Sequence, residues 1–538
     1  MSRPYFFGEK IVENKKREFY LPPKELVSFY VSNSKIVFKD YSPGQGMLFP
    51  PNLSDFIEDN HPVGVINDVI NRLNIDALIA KYKGGGSSSY HPRMMLKVLV
   101  YGYLNNIYSS RKLEQVIRRD VHFMWLSGMN TPDHNTINRF RSDRLKGVIR
   151  EVFTNVVLLL VESGHIDLKT VYTDGTKIEA NANKYTFVWG KAIERNKLRI
   201  KEQLSDLWKY AESVASEELK SNASTDLEEI DARKVEDTID QINTALKDKK
   251  VDKKIKQKLG YARRNWPKNL EKYDKQEKLM GERNSYSKTD PDATFMRMKE
   301  DHMLNGQLKP GYNLQISTQD QYVVHYSIHS NPTDTKTLIP HLKGFKENFK
   351  LLPNTITADA GYGSEENYTF LEKEKVDAFV KYNYFHKEQK TKKTNPFHPN
   401  SLYYNKEKDC YYCPMGQPMN YKYERKAKTE AGFQQKLSVY QAQNCQGCPL
   451  RSQCHKAKGN RTIQVNHNLN RLKLKAKQNL LSEKGIKHRK KRPCDVETVF
   501  GNLKQNKKFK RYHLRGNEKV EIETALLVIA MNLKKMAG

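Results

Sequence analysis

The order in which strand-like and helix-like segments follow one another constrains this chain most. "DLKTVYTD" is the first strongly β-branched and aromatic run. Much later come "GYNLQISTQ" and "QYVVHYSIHS", which are separated by a short turn around Asp320. A helical "NPTDTKTLIPHLKGFKENF" follows, with Thr333 or Asp334 near its cap, then the short strand "NTITADAGYG", the helix "SEENYTFLEKEK" and the strand "DAFVKY". The order β, insertion, β, β, α, β, α, β predicts an α/β protein built on a mixed sheet with helices packed against it.

Two of these strands end alike. In "VYTDGTKIEANAN", Asp174 precedes Gly-Thr, and in "TADAGYG", Asp359 precedes Ala-Gly. Asp-Gly is a common turn dipeptide, so Asp174 can be read as a turn former. The other reading makes each strand a rigid support for a carboxylate. In an RNase-H-like sheet these two strands, first and fourth in order, lie side by side, and a later helix brings a third acid. Glu497 in "KKRPCDVETVFGNLKQN" is placed for this. Lys504 lies seven residues on, which over two α-helical turns is the same face, whereas Asp495 points elsewhere. Three acids suit Mg²⁺ (or Mn²⁺), and two such ions can bind the attacking and leaving oxygens of a phosphoryl displacement. Lys504 could hold a phosphate oxygen.

Charge points to the substrate. There are 93 Lys+Arg against 62 Asp+Glu, a formal +31, and such a surplus favours a polyanion through counterion release. The run Lys484 to Arg515 surrounds Glu497 with basic residues. The longest apolar run, "MMLKVLVYGYL", contains a Lys and is shorter than the ~20 residues that span a bilayer. The N-terminus shows no uninterrupted apolar signal region, so a cytoplasmic protein without a membrane segment is expected.

The remaining organisation divides as follows. Residues 1–60 form an N-terminal extension, and 61–165 an all-helical domain whose third helix, "HNTINRFRSDRLKGVIREVF", is capped by Asp133. Ile137, Phe140 and Leu145 line its inner face, leaving Asn135, Asn138, Arg139, Arg141 and Arg144 polar. Two helices, a short turn and a basic third helix suit a DNA-contacting arrangement, as they also suit a plain helical bundle. The sheet is expected over 166–190 and 289–383, with a charged helical insertion over 191–288. Val235, Ile239, Ile242 and Leu246 form an apolar seam there, packed against the insertion itself or a partner. A Cys-rich insertion occupies 384–470, and 471–538 supplies C-terminal helices completing the core. Cys410-x2-Cys413 and Cys445-x2-Cys448, with Cys454 after, suit tetrahedral structural Zn²⁺. Whether Cys448 or Cys454 completes the set stays open, with His455 a further candidate. Free structural thiols are the alternative. Cys494 stands apart and is expected to pack under the Glu497 helix.

Long stretches of the chain resemble the DDE transposases of bacterial insertion sequences, with an InsH-like N-terminal domain. They are "MLFPPNLSDFIEDNHPV", "YHPRMMLKVLVYGYLNNIYSSRKLEQ", "FMWLSGMNTPDHNTINRFR", "TDGTKIEANANKYTFVW", "TADAGYGSEENY" and "VETVFGNLKQNKKFKRYHLRG". The resemblance puts the family's acids on Asp174, Asp359 and Glu497. Many relatives carry Tyr-x2-Arg-x3-Glu-x6-Lys around that Glu. Lys504 fits the last position, but Pro493 stands at the Arg position and Lys490 at the Tyr position. Arg492, with Arg511 or Arg515, could supply the phosphate contacts instead. The resemblance implies cleavage at terminal inverted repeats, transfer of 3′-OH ends into target DNA, and a homodimer or larger assembly on double-stranded DNA. The alternatives are a non-catalytic DNA-binding protein derived from a transposase and a metal-dependent endonuclease without end preference.

Overall fold

The computed structural model describes residues 52–82, 88–219, 230–298, 307–390, 395–429 and 431–538. The chain divides at residue 52 into two units, and the description concerns the second, residues 53–538. The expected extension over 1–60 falls almost wholly outside the described residues.

At the centre is a six-stranded mixed sheet: β1 (Thr170–Glu179), β2 (Thr294–Arg297), β3 (Leu308–Gln319), β4 (Tyr322–His329), β5 (Thr355–Ala358) and β6 (Asp377–Val380). β3 pairs antiparallel with β1 along one edge and with β2 and then β4 along the other. β1 pairs parallel with β5, and β5 parallel with β6. Helix Leu338–Phe349 leads from β4 towards β5, and helix Glu365–Lys373 makes the crossover between the parallel strands β5 and β6. This arrangement is consistent with an RNase-H-like fold. The first and fourth of the predicted strands, β1 and β5, do lie side by side.

The Asp-Gly turn reading of residues 174–175 is corrected. β1 runs straight through both residues to Glu179, with Asp174 opposite Ile316 and Gly175 opposite Gln315. Gly175 is needed for close approach: a Cβ there would stand 2.8 Å from Asp334 Oδ1 and closer still to Gln315 Nε2.

One apolar core joins the N-terminal helices to the sheet and to the last helix, Asn517–Met536. Residues Val520 to Leu533 of that helix are buried on nearly every side, and it packs on helices Pro92–Leu104 and Ile149–Glu162. Asp133 caps His134–Arg139 as expected, accepting from the Asn135 and Thr136 amides at 2.7 and 3.0 Å.

The insertion forms its own helical body: Gly190–Val214, Ala232–Ala245 and Lys253–Met280. Val235, Ile239, Ile242 and Leu246 are buried there against Leu204, Leu207, Leu259 and Trp266. The seam thus closes on its own neighbours and has no surface left for a partner chain. The Cys-rich insertion builds a five-stranded antiparallel sheet around Tyr411, Met419 and Tyr440, which the sequence reading did not resolve. No helix among the described residues is long and apolar enough to cross a membrane.

Candidate active site

β1 and β5 fix the first two acids. Their parallel register ends at Thr173 opposite Ala358, so Asp174 and Asp359 are the next residues on adjacent strands. Asp174 stays in the strand and is buried, while Asp359 leads into a tight turn, Ala360–Tyr362, and is half exposed.

The third acid arrives from the C-terminal segment. Helix Glu483–Arg492 lies over β5 and β6, and a π-helical turn, Pro493–Glu497, continues over β1 and β3. Pro493 provides no N–H for a regular ladder, and the wider turn follows it. Asp495 is pinned to the sheet by Thr318 Oγ1 at 2.6 Å and the Gln321 amide at 3.1 Å, facing away from Glu497 as expected. Glu497 is left exposed beside the aspartates.

Arg492 organises the group. Its buried guanidinium donates to Asp174 Oδ2 at 2.7 Å through Nη2 and to Glu497 Oε1 at 2.9 Å through Nη1. Burial opposes ionisation of Asp359, but the Arg492 charge, the Ala360 amide and Lys381 (Nζ to Oδ1, 3.4 Å) outweigh it and hold the carboxyl below its ordinary range. All three acids are therefore tied electrostatically to one cation of the chain. Lys381, at the end of β6, was not anticipated, because a lone Lys after a strand carries no signal in the sequence.

Carboxylate oxygens are the right donors for a hard divalent cation. As it stands, however, no group of three or more His, Cys, Asp or Glu among the described residues is gathered closely enough to hold a metal ion. The Arg492 guanidinium bridges the oxygens of Asp174 and Glu497.

The other predicted contacts are placed as follows. Lys504 lies in a second π-helical turn, Asn502–Asn506, and is buried, while Glu497 is exposed. Arg511 and Arg515 are exposed beside the end of β1, donating to Ala182 O at 3.3 Å and Asn181 O at 2.6 Å. Arg139 is exposed. Arg141 is a correction: it is buried, and donates to Tyr108 O at 2.6 Å and to the Tyr103 hydroxyl at 3.4 Å, so it serves the core and not a DNA surface. Arg141 stands four residues after the buried Ile137, about one helical turn on, and so shares its inner face.

Cys413, Cys445, Cys448 and Cys454 line one narrow cavity together with His455. Arg461 donates to two of these sulfurs, through its amide to Cys445 at 3.4 Å and through Nη1 to Cys454 at 3.0 Å. Cys410 lies outside the cavity, buried in strand Cys410–Tyr412. Cys494 is exposed and not packed under the Glu497 segment.

Residues 412–537 match the family model of a Transposase DDE domain, and residues 51–143 that of a Transposase domain (DUF772). The first match contains Arg492, Glu497 and Lys504 but stops short of Asp174 and Asp359. No curated protein and no solved structure matches the chain.

Proposed function

The chain carries two transposase-family domains, consistent with a DDE transposase of insertion-sequence type, and from that premise we propose that it cleaves DNA at the terminal inverted repeats of its element and joins the freed 3′-OH ends to target DNA. The observation that carries this reading is the convergence of three acids from β1, the end of β5 and the Pro493–Glu497 turn on Arg492. Asp174, Asp359 and Glu497 would hold two Mg²⁺ or Mn²⁺ ions, which supply activation of the attacking oxygen and charge stabilisation of the leaving one.

The chain's own residues do the rest. Arg492 keeps the acids assembled in the free protein, since their mutual repulsion would otherwise drive them apart. Its fork-shaped donor set equally fits a phosphate, so an entering DNA backbone competes for the guanidinium and frees carboxylate oxygens. Lys381 neutralises part of the charge on Asp359 and is placed to take a second phosphate. Arg139, Arg511 and Arg515 extend the contact with the duplex, and two copies of the chain hold the paired ends.

The test is nicking of a labelled inverted-repeat duplex with Mg²⁺. Wild type should nick at the element end and Asp174→Ala should not; equal inactivity of the two would refute the assignment. Cleavage without end preference would instead favour a general endonuclease. Sedimentation with paired ends should give a dimer or larger, and a monomer with and without DNA would remove the assembly.

The Cys-rich sheet supports a second, structural role for metal. The four sulfurs of Cys413, Cys445, Cys448 and Cys454 around one cavity suit a tetrahedral Zn²⁺, with Cys410 left out. Metal analysis of purified protein should give one zinc per chain, lost on Cys448→Ser and retained on Cys410→Ser.

A further inference from the structure

The sheet itself does not hold the two aspartates together. The pairing of β1 with β5 ends at Thr173 and Ala358, one residue before each acid. Beyond that point β1 continues only as a partner of β3, while Asp359 departs into its turn. Something else must fix the Asp359 turn against β1, because a shift of one ångström between catalytic groups is costly to rate.

Asp334 occupies that gap. It follows β4 in "NPTDTKTL", where the sequence suggests a helix cap. A single 3₁₀ turn, Asp334–Lys336, with Thr333 at its N-cap position and no side-chain capping bond, precedes the α-helix Leu338–Phe349, and the Asp334 side chain turns towards the sheet. Its Oδ1 accepts from Asn313 Nδ2 at 2.8 Å and Gln315 Nε2 at 2.9 Å, both on β3. Its two oxygens face the glycines that flank the acids. A Cβ on Gly175, next to Asp174, would lie 2.8 Å from Oδ1, and a Cβ on Gly361, two residues past Asp359, 3.4 Å from Oδ2.

The surrounding bonds complete a clamp. The Tyr362 hydroxyl donates to Gln315 Oε1, which orients that amide with its NH₂ towards Asp334. Thr335 Oγ1 donates to Gly361 O at 3.1 Å. Asn367 Nδ2 donates to Thr335 O at 3.0 Å and to Tyr362 O at 2.8 Å. The loop after β4, the turn after β5 and the middle of β3 are thereby joined around one carboxylate.

We propose that Asp334 is a positioning residue of the cleavage site, holding the turn that carries Asp359 against the strand that carries Asp174. This rests on the reading of Asp174, Asp359 and Glu497 as the cation-binding acids. Supporting groups of this kind change metal affinity or activity by about 10–100-fold when removed.

The experiment uses the full chain and two readouts: Mn²⁺ binding followed by electron paramagnetic resonance in the absence of DNA, and nicking of the inverted-repeat duplex resolved into kcat and KM. Asp334→Ala should weaken Mn²⁺ binding and lower kcat, each by about tenfold or more, with KM for DNA unchanged. Asp334→Asn keeps an oxygen acceptor for Asn313 and Gln315 and should recover most of both losses. Gly175→Ala, which forces a methyl group onto the same carboxylate, should reproduce the Asp334→Ala pattern. Wild-type Mn²⁺ binding and kcat in Asp334→Ala would overturn the proposal. So would a loss shared equally with KM and thermal stability, or an Asp334→Asn variant as impaired as Asp334→Ala. Failure of the functional reading looks different: wild type and Asp174→Ala would then be alike in nicking and in Mn²⁺ binding, and the Asp334 assignment would fall with it.

Discussion

Two polar clusters, each reached by an arginine expected to face DNA, are built on opposite principles. Beneath the N-terminal helices, Arg141 meets Tyr103 and Tyr108, and Tyr103 meets the fully buried Glu523. Both Glu523 oxygens are used, Oε2 by the His513 and Leu514 amides at 2.8 Å each and Oε1 by Tyr103 and His513. In the sheet cluster Arg492 is equally buried, yet Asp359 and Glu497 stand about half exposed, with side-chain exposures of 48% and 54%. A polar group inside a fold must be paired or it costs stability. The first cluster completes its acceptors and so fixes structure. The second leaves carboxylate oxygens of Asp359 and Glu497 open to solvent.

The largest expected effect separates the two acids that share Arg492. Asp174→Ala leaves a buried guanidinium without its buried partner and should cost about 3–5 kcal/mol in urea denaturation, besides abolishing nicking. Glu497→Ala should abolish nicking as completely while costing under about 1 kcal/mol, because its carboxylate is exposed. Equal stability losses would erase the distinction between an anchoring and an open acid.

In the cluster beneath the N-terminal helices, Arg141→Met leaves Tyr108 O unpaired and should cost about 1–3 kcal/mol with DNA affinity unchanged at a fixed salt concentration. A weakened affinity in a stably folded Arg141→Met protein would return that residue to the DNA surface.

Lys507 gives a pH test of the same interior. Burial lowers its pKa from 10.5 to about 8, and its Nζ donates to Leu104 O. Below about pH 8 the lysine is charged in both states and its burial penalty is fully present. Between about 8 and 10.5 the unfolded chain binds more protons, so stability should rise with pH. Thermal midpoints of wild type relative to Lys507→Met should climb across that window, and a flat difference would contradict the burial.

The smallest expected effect is at Arg139. Arg139→Ala should leave stability within about 0.5 kcal/mol and lower the salt slope of DNA binding by about one. Unchanged binding would remove this helix from the interface.

Much of the fold was legible in local pattern. The strands, the insertion seam and the Asp133 cap depend on neighbours a few residues away, which periodicity reports directly. The adjacency of β1 and β5 was expected from the RNase-H-like sheet to which the order of elements was compared. The site was legible only in part. Asp174, Asp359, Glu497 and Arg492 could be named, but not that one guanidinium would bridge two of the acids.

What the sequence by itself determined is therefore the set of elements and the residues at their ends. Tertiary structure alone decided the uses of those residues: Arg141 bonded to Tyr103 and Tyr108 inside the core, Lys504 buried, and Cys410 outside the cavity of the other cysteines. It also placed Asp334 against two glycines that lie far from it in the chain. The physical reason is that spacing fixes the direction of a side chain relative to its own backbone. Hydrogen bonds and burial depend on what other segments bring to the same place.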